Sequence, residues 1–245
     1  LPVWAVKKLI EVFQMSDIGL HRNLNEDSLL CRPPSDFAVA DGMGGHVAGE
    51  VASHIFTATM EELLAQRGQN MDQDGLREIV IAGNRAILSS IRSHPERKGM
   101  GTTATCLHLG QGKGIWAHVG DSRLYLLRQG NMRQLTQDHT YVNDLIASGS
   151  ITPLEAENHP KRNMLLRAVG VEEFVQVDTG EFTLETGDIM LLCSDGLTNM
   201  VTEEAIRTVL EAKNCTNPAA SLVDCAKAGG GLDNISVIVV KYHEE

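Results

Sequence analysis

The sequence predicts an α+β protein in which helices pack on antiparallel sheets. Apolar runs of strand length come in groups and helix-period stripes come in pairs, which disfavours the regular strand-helix alternation of a parallel sheet. The 245 residues are 42% apolar and 22% charged, the composition of a folded chain that buries one sizeable core, and no repeat or low-complexity linker divides it. One domain over residues 1–245 is expected.

A first strand is expected near residues 10–15. Residues 47–64 place Val47, Val51, Ile55 and Leu63 on one stripe, with Ala48, Ala52, Phe56, Met60 and Leu64 beside it, the spacing of a buried helix. Leu76, Ile79, Val80, Gly83, Ile87, Leu88 and Ile91 repeat the pattern behind a candidate N-cap at Asp74, and this second helix ends before Pro95. From Gly101 the chain turns β-rich, with short runs at 102–109, 114–119, 123–128 and 132–135 and a hairpin turn at Gln129, Gly130 and Asn131. Residues 140–163 are polar and helical again, with a capping-box start at Thr152, Pro153 and Glu155, and read as an excursion from the sheet. Strands return at 175–184 and 188–193, helices follow at 202–212 and after Asn217 and Pro218, and a strand at 235–242 closes the chain.

Charge and cysteine usage narrow the function classes. Lys and Arg total 21 against 32 Asp and Glu, a net charge of −11, which disfavours a broad cationic face for nucleic acid. The five cysteines are odd in number and form no C-x-x-C pair, so they read as reduced core residues in a reducing compartment. No apolar run reaches the ~18 residues a membrane-spanning helix needs. A cytoplasmic protein with no membrane partner is expected.

Three aspartates share one context. Asp41 ends the apolar run 37–40 and precedes Gly42, Asp195 ends the run 189–194 and precedes Gly196, and Asp233 precedes Asn234 and the last strand. Each sits where a strand meets a loop. Any one alone could be turn chemistry. Together with Glu26 and Asp27 they suggest a convergent set, held at the rim of a sheet by the rigid core behind it. Converging carboxylates repel and raise one another's pKa unless a cation neutralises them. Oxygen ligands select Mg²⁺ or Mn²⁺, whereas zinc would want histidine and cysteine spacings that this chain lacks. Two such ions about 3.5–4 Å apart can lower a water's pKa toward 7 and clamp an in-line displacement at phosphorus.

In order, Arg22-Asn23-Leu24-Asn25-Glu26-Asp27, Asp41-Gly42-Met43-Gly44-Gly45-His46, Gly101-Thr102-Thr103, Val119-Gly120-Asp121-Ser122-Arg123, Cys193-Ser194-Asp195-Gly196 and Asp233-Asn234 resemble the motifs of the metal-dependent PP2C-type (PPM) serine/threonine phosphatases. The resemblance runs from about Ser16 to Tyr242. It implies a central antiparallel β-sandwich flanked by helices on both faces, with metals in a cleft at one end. It also implies that Asp41 bridges two Mn²⁺ or Mg²⁺ ions, that Asp195 and Asp233 complete the first, and that the Gly42 carbonyl helps hold the second. Glu26 and Asp27 would orient metal-bound waters, and Arg22 would grip the substrate phosphate as only a planar, two-pronged guanidinium can. Asp121 resembles the position where bacterial members hold a third ion, and residues 140–163 resemble their mobile flap.

One departure bears on mechanism. Animal members carry a histidine after the Asp-Gly pair, implicated as a general acid, whereas Met43 stands there and a thioether cannot donate a proton. Methionine at this place points to the bacterial branch and leaves His46 as the nearest candidate. The resemblance implies hydrolysis of phosphoserine and phosphothreonine by a metal-activated water, with a cognate serine/threonine kinase and its substrates as partners. Two other classes would leave different signatures. A phosphoprotein-binding module of the same fold should have lost its metal carboxylates, and a metal-dependent nuclease should have a basic groove. Neither signature is present in the sequence.

Overall fold

The computed structural model describes residues 8–44, 48–66 and 71–244. Two antiparallel sheets lie face to face. One joins β1 (Lys8–Asp17), β7 (Arg123–Arg128), β8 (Asn131–Gln134), β10 (Ile189–Cys193) and β11 (Ile235–Glu244) in the order β1-β11-β10-β7-β8. The other joins β2 (Asp27–Arg32), β3 (Asp36–Met43), β5 (Ala104–Gly110), β6 (Lys113–Val119) and β9 (Asp178–Thr183) in the order β2-β3-β5-β6-β9, with β4 (Gly101–Thr102) pairing the end of β3. Helices α1 (Gly49–Gln66) and α2 (Gln73–Ser93) cover the second sheet, while α5 (Asp195–Thr198), α6 (Glu203–Glu211) and α7 (Pro218–Ala228) cover the first. The expected α+β sandwich with helices on both faces is observed.

Strand periodicity explains the four layers. Phe37 and Val39 of β3, Leu107 and Leu109 of β5, Leu124 and Leu126 of β7, Met190 and Leu192 of β10, and Ile238 and Val240 of β11 meet between the sheets. Their neighbours point the other way: Ala38, Ala40, Cys106 and Ala117 face Phe56, Met60, Leu76 and Ile79 of α1 and α2, and Leu191, Val237 and Val239 face Leu222 and Val223 of α7. Strands buried on both faces read as continuous apolar runs, which is why the sequence marks them so clearly.

Several boundaries differ from the sequence reading. The N-cap of α2 is Asp72, whose side chain accepts from the Gly75 backbone N–H at 2.8 Å, whereas Asp74 sits in the first turn and pairs with Arg77. An aspartate three residues before a free helical N–H satisfies it, and Asp74 lies two positions too far along. The expected strand at 102–109 breaks at Thr103, because β4 pairs with Gly42 and Met43 while β5 pairs with residues 36–39. The run at 175–184 becomes strand only from Asp178, the first strand extends over Lys8–Asp17, and α1 begins at Gly49. Gln129 and Gly130, both at positive φ, form the β7–β8 turn, with Asn131 already in β8, and Gln111 and Gly112 form a matching turn between β5 and β6. All five cysteines are free, but Cys31, Cys215 and Cys225 are half-buried and only Cys106 and Cys193 are core residues. Within the excursion, α3 (Tyr141–Ala147) and α4 (Pro153–Glu157) form, and Thr152 and Glu155 make the expected reciprocal cap.

Phe56 anchors the outer helical layer: it is fully buried, and Gly83 of α2 approaches its ring so closely that a Cβ there would stand 2.6 Å from the ring edge. Phe56→Ala should lower stability by about 3–5 kcal/mol in urea denaturation, the cost of deleting a fully packed aromatic ring.

Candidate active site

The carboxylates gather where strands of both sheets end. Antiparallel register sets Asp27 at the start of β2 directly opposite Asp41 near the end of β3. Asp195 opens α5 two residues after the end of β10, and Asp233 lies two residues before β11, so the second sheet supplies one pair and the first sheet the other. Asp121 follows Gly120 in the link between β6 and β7. A cleft of about 840 Å³ is lined by Arg22, Glu26, Asp41, Asp121, Asp195 and Asp233, among others including His21 and Met43.

Glycines allow the close approaches behind it. A Cβ on Gly42 would strike the carbonyl oxygens of Gly49 and Glu26, and one on Gly196 would strike the Asn234 carbonyl. Gly42 N–H donates to the Glu26 carbonyl at 3.1 Å, which joins the first motif to the end of β3.

Hydroxyls and an amide then orient the acids. Asp41 N–H donates to Thr103 Oγ1 at 2.9 Å, and Thr102 Oγ1 donates to the Asp41 carbonyl at 3.0 Å. Ser194 Oγ donates to Asp27 Oδ2 at 2.8 Å and accepts from Ser236 N–H at 3.0 Å. Asn234 ties the loop before β2 to the loop before β11: its Oδ1 accepts from Glu26 N–H at 2.8 Å, and its Nδ2 donates to the Ile18 and Leu24 carbonyls, each at 3.0 Å. Arg22 Nη2 donates to Asp233 Oδ2 at 2.7 Å, which holds the guanidinium at the mouth of the cleft.

Burial and mutual repulsion dominate the electrostatics. Burial pushes Asp27 up to about 7, with hydrogen bonds from Ser236 and Ser194 opposing and Asp195 and Asp233 adding to the rise. Asp195 is raised to about 6 by burial and by Asp233, and Asp41 and Asp121 are each raised well above the usual carboxylate range by burial and neighbouring aspartates. The cluster is therefore short of positive charge.

Two observations show that the residues fit a hard divalent ion. Glu26 Oε1 and Asp27 Oδ1 are buried with no hydrogen-bond partner, and the carboxylates of Glu26, Asp41, Asp121, Asp195 and Asp233 give the cleft a set of oxygen ligands, the choice of Mg²⁺ and Mn²⁺. Among the described residues no three acidic, histidine or cysteine side chains form a ready-made cage. An open floor of carboxylates still suits ions that keep several waters.

The structure brings together Arg22, Glu26, Asp41, Gly42, Asp121, Asp195 and Asp233 around one cleft, with Asp27 buried beneath. His46 lies outside the described residues. The sequence reading assigned no role to Thr103, Ser194 or Asn234, although each stands inside a motif it used; a small polar residue beside a ligand aspartate was the available signal.

Comparison with known proteins identifies the family. Residues 22–223 match the family described as Protein phosphatase 2C. The serine/threonine phosphatase Stp of Listeria monocytogenes is 41% identical over 235 residues, covering 92% of this chain and 93% of that protein. PstP of Mycobacterium tuberculosis is 40% identical over 230 residues, covering 91% of this chain and 43% of that protein, so the chain spans less than half of that relative's length. Its crystal structure superposes with a TM-score of 0.89 at 38% identity, over 98% of this chain and 100% of that one. A PstP catalytic domain in complex with two manganese ions does so with a TM-score of 0.89 at 37% identity, over 97% and 100%. The chain belongs to the protein phosphatase 2C family, in which its relatives are bacterial serine/threonine phosphatases.

The raised carboxyls give a pH dependence with a definite sign. From the unfolded value of 3.8 up to about 7, the folded chain holds the Asp27 proton more tightly than the unfolded chain does, so this group's contribution to stability falls as pH rises. In chelator, the melting temperature should therefore drop from about pH 5 to about pH 7.5 more steeply for the parent than for Asp27→Asn. Added Mn²⁺ should flatten the parent's slope by neutralising the cluster.

Proposed function

We propose that this protein hydrolyses phosphoserine and phosphothreonine in proteins by one in-line displacement at phosphorus, using divalent cations and forming no covalent enzyme intermediate. The observation that carries this reading is the cluster of Asp41, Asp121, Asp195 and Asp233 on the floor of a cleft whose mouth is held by Arg22. Family membership and the manganese-bound PstP domain support it.

Asp41 would bridge two ions, Asp195 and Asp233 would complete the first, and the Gly42 carbonyl would help hold the second. Asp121 would hold a third. When bound, such ions make a water nucleophilic near neutral pH and neutralise charge that develops on the phosphoryl oxygens. Glu26 Oε1 and Asp27 Oδ1, both buried and without a hydrogen-bond partner, would accept hydrogen bonds from a water and fix its direction. The Arg22 guanidinium is half exposed, and a substrate phosphate would engage it with two parallel hydrogen bonds. Met43 offers no proton, so His46 is the residue proposed to protonate the departing serine or threonine oxygen. Residues 140–163 would act as a flap that affects substrate choice, within one phosphatase domain spanning residues 1–245. A cognate serine/threonine kinase and its substrates are the partners this activity implies. Among the described residues no helix is long and apolar enough to cross a membrane, and five free cysteines suit a reducing, cytoplasmic setting.

Turnover of p-nitrophenyl phosphate and of a phosphothreonine peptide should appear with Mn²⁺ or Mg²⁺ and vanish with chelator. Metal-loaded, folded protein with no turnover on either would refute the assignment. Asp41→Asn and Asp195→Asn should each lose more than ~100-fold in kcat, beyond the ~10–100-fold typical of outer partners. For Arg22→Ala the peptide KM should rise about 10-fold or more, from the loss of charge-assisted hydrogen bonds, and Arg22→Lys should recover only part of it because an ammonium cannot grip in two places.

A further inference from the structure

Asp121 is held from both sides. Beyond it, Ser122 Oγ lies 2.7 Å from Thr103 Oγ1, and the Ser122 carbonyl accepts from Thr105 Oγ1 at 3.0 Å. Before it, Gly120 is gripped at two points by one residue: His139 N–H donates to the Gly120 carbonyl at 2.7 Å, and Gly120 N–H donates to His139 Nδ1 at 3.1 Å. Gly120 itself sits at φ +110°, where a side chain would be strained and would meet Thr103. The corner that carries Asp121 therefore owes its shape to these few contacts.

The backbone contact also decides the state of the imidazole. A nitrogen that accepts from a backbone N–H carries no proton, so Nδ1 is bare and Nε2 bears the hydrogen, directed at Asp178 Oδ2 3.1 Å away; Arg167 Nη1, which also lies 3.2 Å from Nε2, then gives its hydrogen to Asp178 Oδ1 and not to the ring. Burial lowers the basicity of His139, in keeping with a neutral ring. Asp178 takes a second hydrogen bond from Arg167 Nη1 at 3.0 Å, and the buried ring of His118 packs against His139 with centroids 4.8 Å apart. His139 also stands where residues 140–163 leave and return: Leu166 N–H donates to the His139 carbonyl at 2.8 Å, and Thr140 bridges to Leu165.

We propose that His139 is a positioning residue which, as a neutral acceptor at Nδ1 braced by Asp178, fixes the Gly120–Asp121 corner and so sets the affinity of the ion that Asp121 holds. This rests on the reading of Asp121 as a metal ligand. His139 touches neither substrate nor ion; it acts through the Gly120 backbone.

The test separates the acceptor from the rest of the ring. Asparagine places its amide oxygen close to where Nδ1 stands, whereas leucine fills the space and accepts nothing. Binding of Mn²⁺ by the full chain, measured by calorimetry, and kcat and KM for a phosphothreonine peptide should be compared for His139→Leu, His139→Asn, Asp178→Ala and Asp121→Asn. His139→Leu should weaken the weakest Mn²⁺ step by about 10–100-fold and lower kcat far more than it raises KM, as loss of a ligand's outer partner does. His139→Asn should restore most of both. Asp178→Ala, at a half-exposed position, should move the same quantities in the same direction by less and serves if His139→Leu does not fold. Equal Mn²⁺ binding in His139→Leu and the parent, or equal loss in His139→Leu and His139→Asn, would overturn the proposal. If Asp121→Asn abolishes the weak step while His139→Leu keeps it, Asp121 stands as a ligand and the role of His139 falls. If Asp121→Asn keeps that step, the reading of Asp121 falls and the proposal falls with it.

Discussion

Repulsion among buried carboxylates is the constraint on which this molecule is arranged. Asp27, Asp41, Asp121, Asp195 and Asp233 come from five separate stretches of chain, and each of the four with a raised pKa owes part of the rise to others of the set. A loop could relieve such a conflict by moving its aspartate into water. These acids cannot move, because most of them sit at ends of strands or at the first residue of a helix whose other residues are packed in a four-layer core. The core thus holds a charge cluster that only a cation or protons can relieve, which is the physical content of a metal-dependent site.

Around the acids, the partners that set direction are mostly neutral. Thr103, Ser194, Ser236, Asn234 and His139 hold backbone or carboxylate groups through hydrogen bonds and add no charge to the cluster. Cations near the site are placed at its edges: Arg22 at the mouth on Asp233, and Arg123 behind Asp121, where it pairs with Asp138 at 2.7 Å. A cationic side chain at the floor would satisfy the carboxylates permanently and leave no place for an ion. The same economy explains the glycines, since any side chain at Gly42 or Gly196 would collide with backbone of a neighbouring element and one at Gly120 with the Thr103 side chain.

Much of the site was legible because its aspartates follow apolar runs and sit beside glycine or asparagine, a pattern tied to strand ends. The helices over 49–66 and 73–93 were legible from their stripes, although the cap of the second was misplaced from Asp72 to Asp74. Both aspartates precede the periodic residues, and only the Gly75 N–H shows which one caps. The break at Thr103 was hidden because Thr, Ala and Cys all suit a strand, so nothing local marks where pairing passes from β4 to β5. His139 gave no signal either, since a lone histidine beside polar residues has no periodicity to read.

By itself, the sequence determined which residues could carry the chemistry, which segments were apolar enough to form two-sided strands, and which motifs the chain shares with protein phosphatase 2C. Tertiary structure alone decided what those residues face. Asp27 meets Asp41 through the β2–β3 register, Asn234 meets Glu26 across 208 positions, and His139 meets Gly120 across 19. Composition and spacing act over a few residues along the chain, whereas sheet order and packing set these distances, so the supporting contacts appear only once the two sheets are closed on one another.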